Sequence, residues 1–388
     1  MHYNKQWQYS IGVLAFVWGL GLSLPQVQAF PIGCGATLGP GGAFVLDSDV
    51  GPCSGPDPAL TLISATLDLA GHTVSCSTTD IYGIAVKGRR SRVRNGTVRG
   101  CGSGVVLLEQ GSHEVNEVIA SENSAGFRVG SNQNKLTNST ATDSEFFGFA
   151  VGGALNQLSG NTASGSEIGF WLQGATNSRL TSNTATDNFQ GFEMFASSGG
   201  LLIGNTASSN QSDGFTGDLN ANNRWAANTA SSNAAGFSFE GDTDDAWIDN
   251  TASGNARFGF SFVGFSFGGG ASNSLNHNRA DGNGFSGAEG GFGFEESNDT
   301  LVENTATSNI GAGFTLFGDT GSDLLADNRA LSNSGPGIHL DTGATDNRIH
   351  KSRALGNGSF DLEDDNLGCD ANTWGSNTFG VANQGCIH

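Results

Sequence analysis

Carboxylates and aromatic side chains recur at fixed places in this chain, and one group of them suggests a single chemistry. Trp171 and Glu193 each stand one residue after a Phe, Asp218 and Glu240 each stand three after one, and Asp242, Asp244 and Asp245 follow closely. A row of carboxylates beside an indole suits a sugar chain, because a sugar ring stacks on the indole while its hydroxyls donate to the acids. Trp171, Glu193, Asp218, Glu240 and Asp242 are therefore the candidate ligand-binding residues. Glu193, Asp218 and Glu240 also offer paired-carboxylate acid–base catalysis. Asp242, Asp244 and Asp245 supply the oxygen donors that Ca2+ takes, although a solvated acidic turn accounts for the same three.

Such residues need a frame, and the frame is a repeat. The phrase carried by "SNTATDNFQGFEMF" (182–195) returns with Thr140, Thr162, Thr184, Thr206, Thr229 and Thr251 at one place, 22 or 23 residues apart. Arg279, Thr305, Arg329 and Arg353 continue the series downstream, and Val118, Thr97 and Thr73 continue it upstream. A period of about 22 residues over some 13 copies points to a solenoid.

Three apolar columns run through the copies. Leu or Trp stands four residues before each Thr, from Leu69 and Val93 to Ile349; Val74, Val98, Ile119 and then Ala141 to Ala354 stand one after it. Phe127, Phe149, Phe170, Phe192, Phe215, Phe237, Phe260, Phe294 and Phe314 form the third column, with Ile84, Val105 and Ile338 as aliphatic substitutes. Segments of about four to six residues between Gly and Asn are too short for helices and suit strands. Three short strands per coil, stacked at the ~4.8 Å parallel-sheet spacing, make a rod about 60 Å long. One Asn column runs from Asn161 to Asn328 and a second, five residues later, from Asn188 to Asn357. Each is expected to form an amide ladder at a left-handed corner.

Two stretches carry a family resemblance. "LDLAGHTVSCSTTDIYGIAVKGRRSRVRNGTVRGCGSGVVL" (67–107) and "CDANTWGSNTFGVANQGCIH" (369–388) resemble the opening coils and the closing segment of secreted right-handed parallel β-helix proteins, the pectin-lyase-like superfold, including the NosD-like periplasmic group. The resemblance spans 34–388 and implies an all-β right-handed parallel β-helix. It does not name an activity, because this superfold hosts lyases, hydrolases, epimerases and passive scaffolds. No D-P-H-D run of the alginate-epimerase kind occurs, and the calcium and multi-Asp patterns of pectate lyases and polygalacturonases are incomplete.

The two ends of the chain bear on compartment. Lys5, the apolar stretch Ile11 to Leu24 and Val27-Gln28-Ala29 read as a secretory signal peptide over 1–29, cleaved after Ala29, for a secreted or periplasmic product. An N-terminal cap over 30–66, coils over 67–360 and a closing cap over 361–388 then follow, with no membrane span once the leader is removed. All six cysteines lie after the leader, near the two ends. Spacing does not fix their connectivity; nearest-neighbour pairing gives Cys34 with Cys53, Cys76 with Cys101 and Cys369 with Cys386. The chain carries 17 Lys and Arg against 37 Asp and Glu, a net charge of −20, which argues against nucleic acid as a partner.

Three further features bear on function. "FGFSFVGFSFGGGASNSL" (258–275) and "NGFSGAEGGFGF" (283–294) lengthen two turns, as an apolar lip over a groove or as a plug on the rod. The Thr-Ala-Thr and Thr-Ala-Ser triplets resemble the arrays of ice-binding solenoids until Arg279-Ala280-Asp281 breaks them. His72, His113, His277, His339, His350 and His388 scatter along the sequence and form no visible copper-ligand cluster. The expectation is a monomeric β-helix that binds an extended polysaccharide or cell-surface glycan, with Ca2+ as the candidate cofactor. A polysaccharide lyase, hydrolase or epimerase and a structural or ice-binding rod are the alternatives.

Overall fold

In the computed structural model, which describes residues 31–388 apart from 56, 264–271, 285–289 and 319, the repeat winds into an all-β right-handed solenoid of about 14 turns. One coil shows how each turn is made: a long strand at Ile168–Gln173, a second at Arg179–Thr181 and a third at Thr184–Thr186. Like strands pair in parallel with the coils above and below, and the long strands alone form a 15-stranded sheet. Parallel pairing begins at Ala36–Leu38, within the segment read as a cap, and reaches Thr373–Gly375 near the other end. The three disulfides join Cys34 to Cys53, Cys76 to Cys101 and Cys369 to Cys386.

The core is made of columns because each coil repeats the last. Leu158, Leu180, Leu202, Trp225, Trp247 and Leu275 align in register, as do Ala163, Ala185, Ala207, Ala230 and Ala252, and all are buried. Nine Phe rings stack through the centre; Phe170 and Phe192, for example, have centroids 4.7 Å apart and planes 7° from parallel. Strand spacing fixes that separation, so each ring covers the next and keeps water from both faces. The glycine before each Phe meets a hard limit: a Cβ on Gly191 would lie 2.3 Å from the Gly214 carbonyl oxygen and 3.0 Å from the Ala207 Cβ.

Two registers differ from the sequence reading. The Phe column passes through Phe292, which pairs with Phe260 and Phe314, and Phe294 sits on the inward column two residues later. "FGF" contains both rings, and the lengthened corner before it hid the phase. Upstream, Ile119 rather than Val118 pairs with Thr97 and Thr140, so Ala120 is the inward residue and Ile119 points outward. Leu67 rather than Leu69 aligns with Val93, and Val115 follows it.

Corners are the second structural rule. Both expected Asn ladders form: Asn183 Oδ1 accepts from the backbone N and the Nδ2 of Asn161, while Asn183 Nδ2 donates to Leu158 O and Asn205 Oδ1. The left-handed residue is the one before each ladder Asn, such as Ser182 (φ 54°) before Asn183 and Asp187 (φ 55°) before Asn188. A third ladder, absent from the sequence reading, closes the remaining corner through Asn134, Asn156, Asn223, Asp245, Asn273, Asp299, Asp323 and Asn347.

Asn183→Ala orphans the buried backbone N–H of Asn161 and removes one of the bonds made by Asn161 Nδ2 and one of those accepted by Leu158 O, and it is expected to lower stability by about 2–4 kcal/mol. Guanidinium denaturation followed by circular dichroism measures this against Thr184→Ala on the outward face, where the loss is expected to be small.

Candidate functional site

Alternation along the long strand decides what reaches solvent. In Phe192-Glu193-Met194-Phe195 the first and third residues are buried, and Glu193 and Phe195 face out. The outward face of the 15-stranded sheet therefore carries two columns, one and three residues after each Phe. Trp171, Glu193, Thr216 and Ser238 neighbour one another in the first; Gln173, Phe195, Asp218 and Glu240 do so in the second.

The proposed stripe thus divides in two. Trp171 lies beside Glu193, Asp218 lies beside Glu240, and the pairs are diagonal to each other across Thr216 and Phe195. Trp171 is half-buried and stacks on Phe147 of the preceding coil, with ring centroids 4.5 Å apart and planes 10° from parallel. Exposed Phe146, Phe189 and Phe195 widen this aromatic surface. Burial raises the Glu193 carboxyl above its ordinary range, and the charge of Glu167 raises it further. Two acids here escaped the sequence reading: Glu167 stands three residues before a column Phe and Asp213 two before, and these positions were not read as outward. Burial raises Asp213 as well, against the lowering pull of Arg257.

Asp242, Asp244 and Asp245 do not converge as a calcium site. Asp244 is the left-handed corner residue (φ 56°) and points into solvent. Asp245 is buried in the third ladder, where Oδ1 accepts from the Asn223 backbone N and Oδ2 accepts from the Trp225 indole at 3.1 Å. Asp242 is also buried, accepting from the backbone N and side chain of Asn220, so it is neither a ligand-binding residue of the outward stripe nor free to bind metal there.

These two belong to a set of interior acids. Burial raises Asp242 to about 8, Asp245 to about 6, Glu296 to about 9, Asp299 to about 7 and Asp323 to about 8. Glu296 Oε1, Asp299 Oδ2 and Asp323 Oδ2 are buried with no hydrogen-bond partner among the described residues.

The lengthened turns bear on the same outward face. A Cβ on Gly293 would meet the rings of Phe258 and Phe317 at 3.0–3.2 Å, so both rings lie over the sheet at that coil, and Thr315 on the next coil is buried. The remainder of the lip or plug, 264–271 and 285–289, lies outside the described residues. Beyond this aromatic cover the first column reappears as His339 and Glu363. His339 stands with Asp341 and Asp365, the ligand atoms of all three within 4.8 Å of one another, so the histidines are not all scattered.

Two concavities lie on other faces of the rod. One of about 430 Å3 sits over Arg92, His113, Glu114 and Lys135, and another of about 490 Å3 over His277, Arg279, Glu303 and Arg329. Each contains an ion-pair contact, Arg92–Glu114 at 2.9 Å in the first and His277–Glu303 in the second. The Thr triplets do stand in register from Thr140 to Thr251; Arg279 and Asp281 break the array, and Thr305 and Thr307 follow them on the next coil.

Comparison with known proteins agrees with this architecture. Residues 82–253 match the family described as right handed beta helix region, and residues 196–381 match the periplasmic copper-binding protein (NosD) family. The chain is a NosD-like right-handed β-helix. Among solved structures it is similar to a DFA-IIIase from Arthrobacter chlorophenolicus in complex with GF2, at a TM-score of 0.53 and 10% identity, covering 75% of this chain and 85% of that one. A variant of that enzyme in complex with DFA-III gives a TM-score of 0.51 at 10% identity, over 81% and 86% of the two chains. The Azotobacter vinelandii mannuronan C-5 epimerase AlgE6 A-module gives 0.46 at 15% identity, over 80% and 90%. No curated protein matches.

The interior acids of this NosD-like helix make a pH prediction. Unfolded, they ionise in the ordinary carboxylate range near 4; folded, they hold their protons to about pH 6–9. The native state then binds more protons than the unfolded state in that window, so stability falls as pH rises from about 4 to 9. Asp242→Asn keeps the acceptor for Asn220 and adds an amide facing the Gly217 carbonyl, the register equivalent of the Met194 carbonyl that Asn220 uses. It is expected to raise the melting temperature at pH 8 and flatten its pH dependence, as differential scanning fluorimetry from pH 4 to 9 will measure.

Proposed function

We propose that this chain is an exported β-helix protein that binds an extended polysaccharide across the outward face of its long sheet. The observation that carries the reading is the half-exposed Phe147–Trp171 stack beside Glu193, with Phe195 and Asp218 on the adjoining column. An aromatic face beside carboxylates meets both sides of a sugar: its C–H faces pack on the rings and its hydroxyls donate to the acids. A parallel sheet repeats that offer every ~4.8 Å, which suits a linear polymer better than a compact ligand. The DFA-IIIase fold neighbours, with GF2 and DFA-III bound, favour a carbohydrate-related role. Three disulfides and the NosD family's periplasmic description support an extracellular or periplasmic location.

One observation favours a catalytic version. Glu193 has a raised carboxyl, the property of a general acid, and Asp218 is its diagonal neighbour, at a Cα separation of roughly 8 Å from strand geometry. In that version Glu193 protonates the leaving oxygen and Asp218 serves as base or nucleophile. The copper named in the NosD family description finds no soft sulfur donor among the described residues. All six cysteines are in disulfides and Met194 is buried in the core, so no Cu(I) chemistry is derived from this chain.

Purified protein passed over immobilised neutral and acidic polysaccharides, with the eluate assayed for reducing and unsaturated ends, tests both versions. Trp171→Ala is expected to weaken retention at least tenfold, on the order of 1.4 kcal/mol. In the catalytic version Glu193→Gln abolishes new chain ends while retention persists. Retention unchanged in Trp171→Ala and in a Glu193→Ala, Asp218→Ala double variant removes the outward face from consideration.

A further inference from the structure

The first outward column does not end with the aromatic surface. About 29 Å further along the rod, six coils from Glu193 at the parallel-strand spacing, it carries His339 and then Glu363, paired in register. Asp341 and Asp365 occupy the next outward position on the same two coils: Asp341 N donates to Leu316 O and Asp365 N to Leu340 O. Alternation buries the residues between them, Leu340 and Asp364, and leaves the imidazole and three carboxylates on one surface.

We infer that His339, Asp341 and Asp365 form a divalent-cation site, with Glu363 at its edge, and that its imidazole selects a borderline transition metal such as Zn2+ or Cu2+ over Ca2+.

The geometry fits one ion. Ligands about 2.1 Å from a metal and about 90–110° apart lie roughly 3.0–3.4 Å from each other. His339 Nε2 and Asp365 Oδ2 are 3.1 Å apart, and the Asp341 oxygen lies within 4.8 Å of both. Asp341 is held in place by its own turn, where Oδ1 accepts from Thr342 N at 2.9 Å and leaves Oδ2 for a ligand. No other group of three His, Cys, Asp or Glu side chains among the described residues is arranged this way.

Charge points to a cation independently of distance. Three carboxylates surround a single histidine, and among the described residues no Lys or Arg forms an ion pair with any of them. Elsewhere on the rod, outward acids such as Glu114, Glu122 and Asp68 are matched by Arg on the adjacent coil. One imidazole nitrogen with carboxylate oxygens is a mixed set, and nitrogen raises affinity for Zn2+ and Cu2+ far more than for Ca2+.

Isothermal titration of the tag-free protein with Zn2+ tests the assignment, with Cu2+ electron paramagnetic resonance as the second readout. One ion per chain is expected. His339→Ala and Asp365→Asn should each weaken Zn2+ at least tenfold with unchanged circular dichroism, and His277→Ala should leave it unaltered. The Cu2+ spectrum should show coupling to one imidazole nitrogen that His339→Ala removes. Equal Zn2+ affinity in the wild type and both variants overturns the site, and Ca2+ bound as tightly as Zn2+ overturns its selectivity. Trp171→Ala should leave Zn2+ binding intact, so failure here and failure of the polysaccharide reading are distinguishable.

Discussion

The hydrogen bond from one coil's backbone N to the ladder side chain of the next is the constraint on which this rod depends. Each corner reverses the chain through a left-handed residue, which turns a backbone N–H inward, where no water can reach it. Asn183 Oδ1 satisfies that N–H of Asn161 from the coil beyond, and Asn183 Nδ2 then closes onto Leu158 O. A single such bond contributes about 1 kcal/mol net, but an orphaned buried donor costs about 1–3 kcal/mol, so the ladder is kept for what its loss would expose. Three ladders hold successive coils at one spacing, and only then do nine Phe rings stack and the outward columns align.

The same constraint explains what could be read in the sequence. Leu180, Ala185 and Phe192 repeat because their neighbours in space are their counterparts one coil away, so sequence period and packing are one quantity. The repeat is hard to phase where a corner carries no ladder Asn. Within Glu114–Ser121 the left-handed corner residue is Glu117 (φ 54°) and Val118 fills the ladder place, so no Asn marks the phase and it is Ile119 that stands in register with Thr140. The phase is hidden again at "FGF", where Phe292 and Phe294 are both buried and the longer preceding turn removed the count. The third ladder was hidden by chemistry: its places hold Asn, Ser, Gly and Asp, which share no obvious side chain. They share a position, two residues before each Leu or Trp, where any side chain accepting a hydrogen bond can stand.

That third ladder also separates the acids by consequence. Asp245 and Asp323 resemble the outward Asp218 in sequence, yet they replace Asn in a buried column, and burial raises their carboxyls to about 6 and about 8. A carboxyl fits the ladder because its oxygens accept as the amide oxygen does: Asp245 Oδ1 accepts from Asn223 N and Oδ2 from the Trp225 indole. The net charge of −20 therefore overstates the charge the folded rod carries at neutral pH. The pattern also explains why Asp242 and Asp245 failed as metal ligands: in a solenoid, a run of acids across a corner alternates between interior and solvent.

On the outward face, chemistry is set by which coils share it. His339 and Asp365 are 26 residues apart and carry no motif, but two successive coils bring them to 3.1 Å. Glu193 and Trp171 are 22 residues apart and meet in the same way. Between these two groups, Phe258 and Phe317 lie over Gly293 and interrupt the surface. A linear ligand on the Trp171 side would therefore meet an apolar barrier before it reached His339. The column is continuous in backbone but divided in access, which argues for two separate sites on one sheet rather than one long groove.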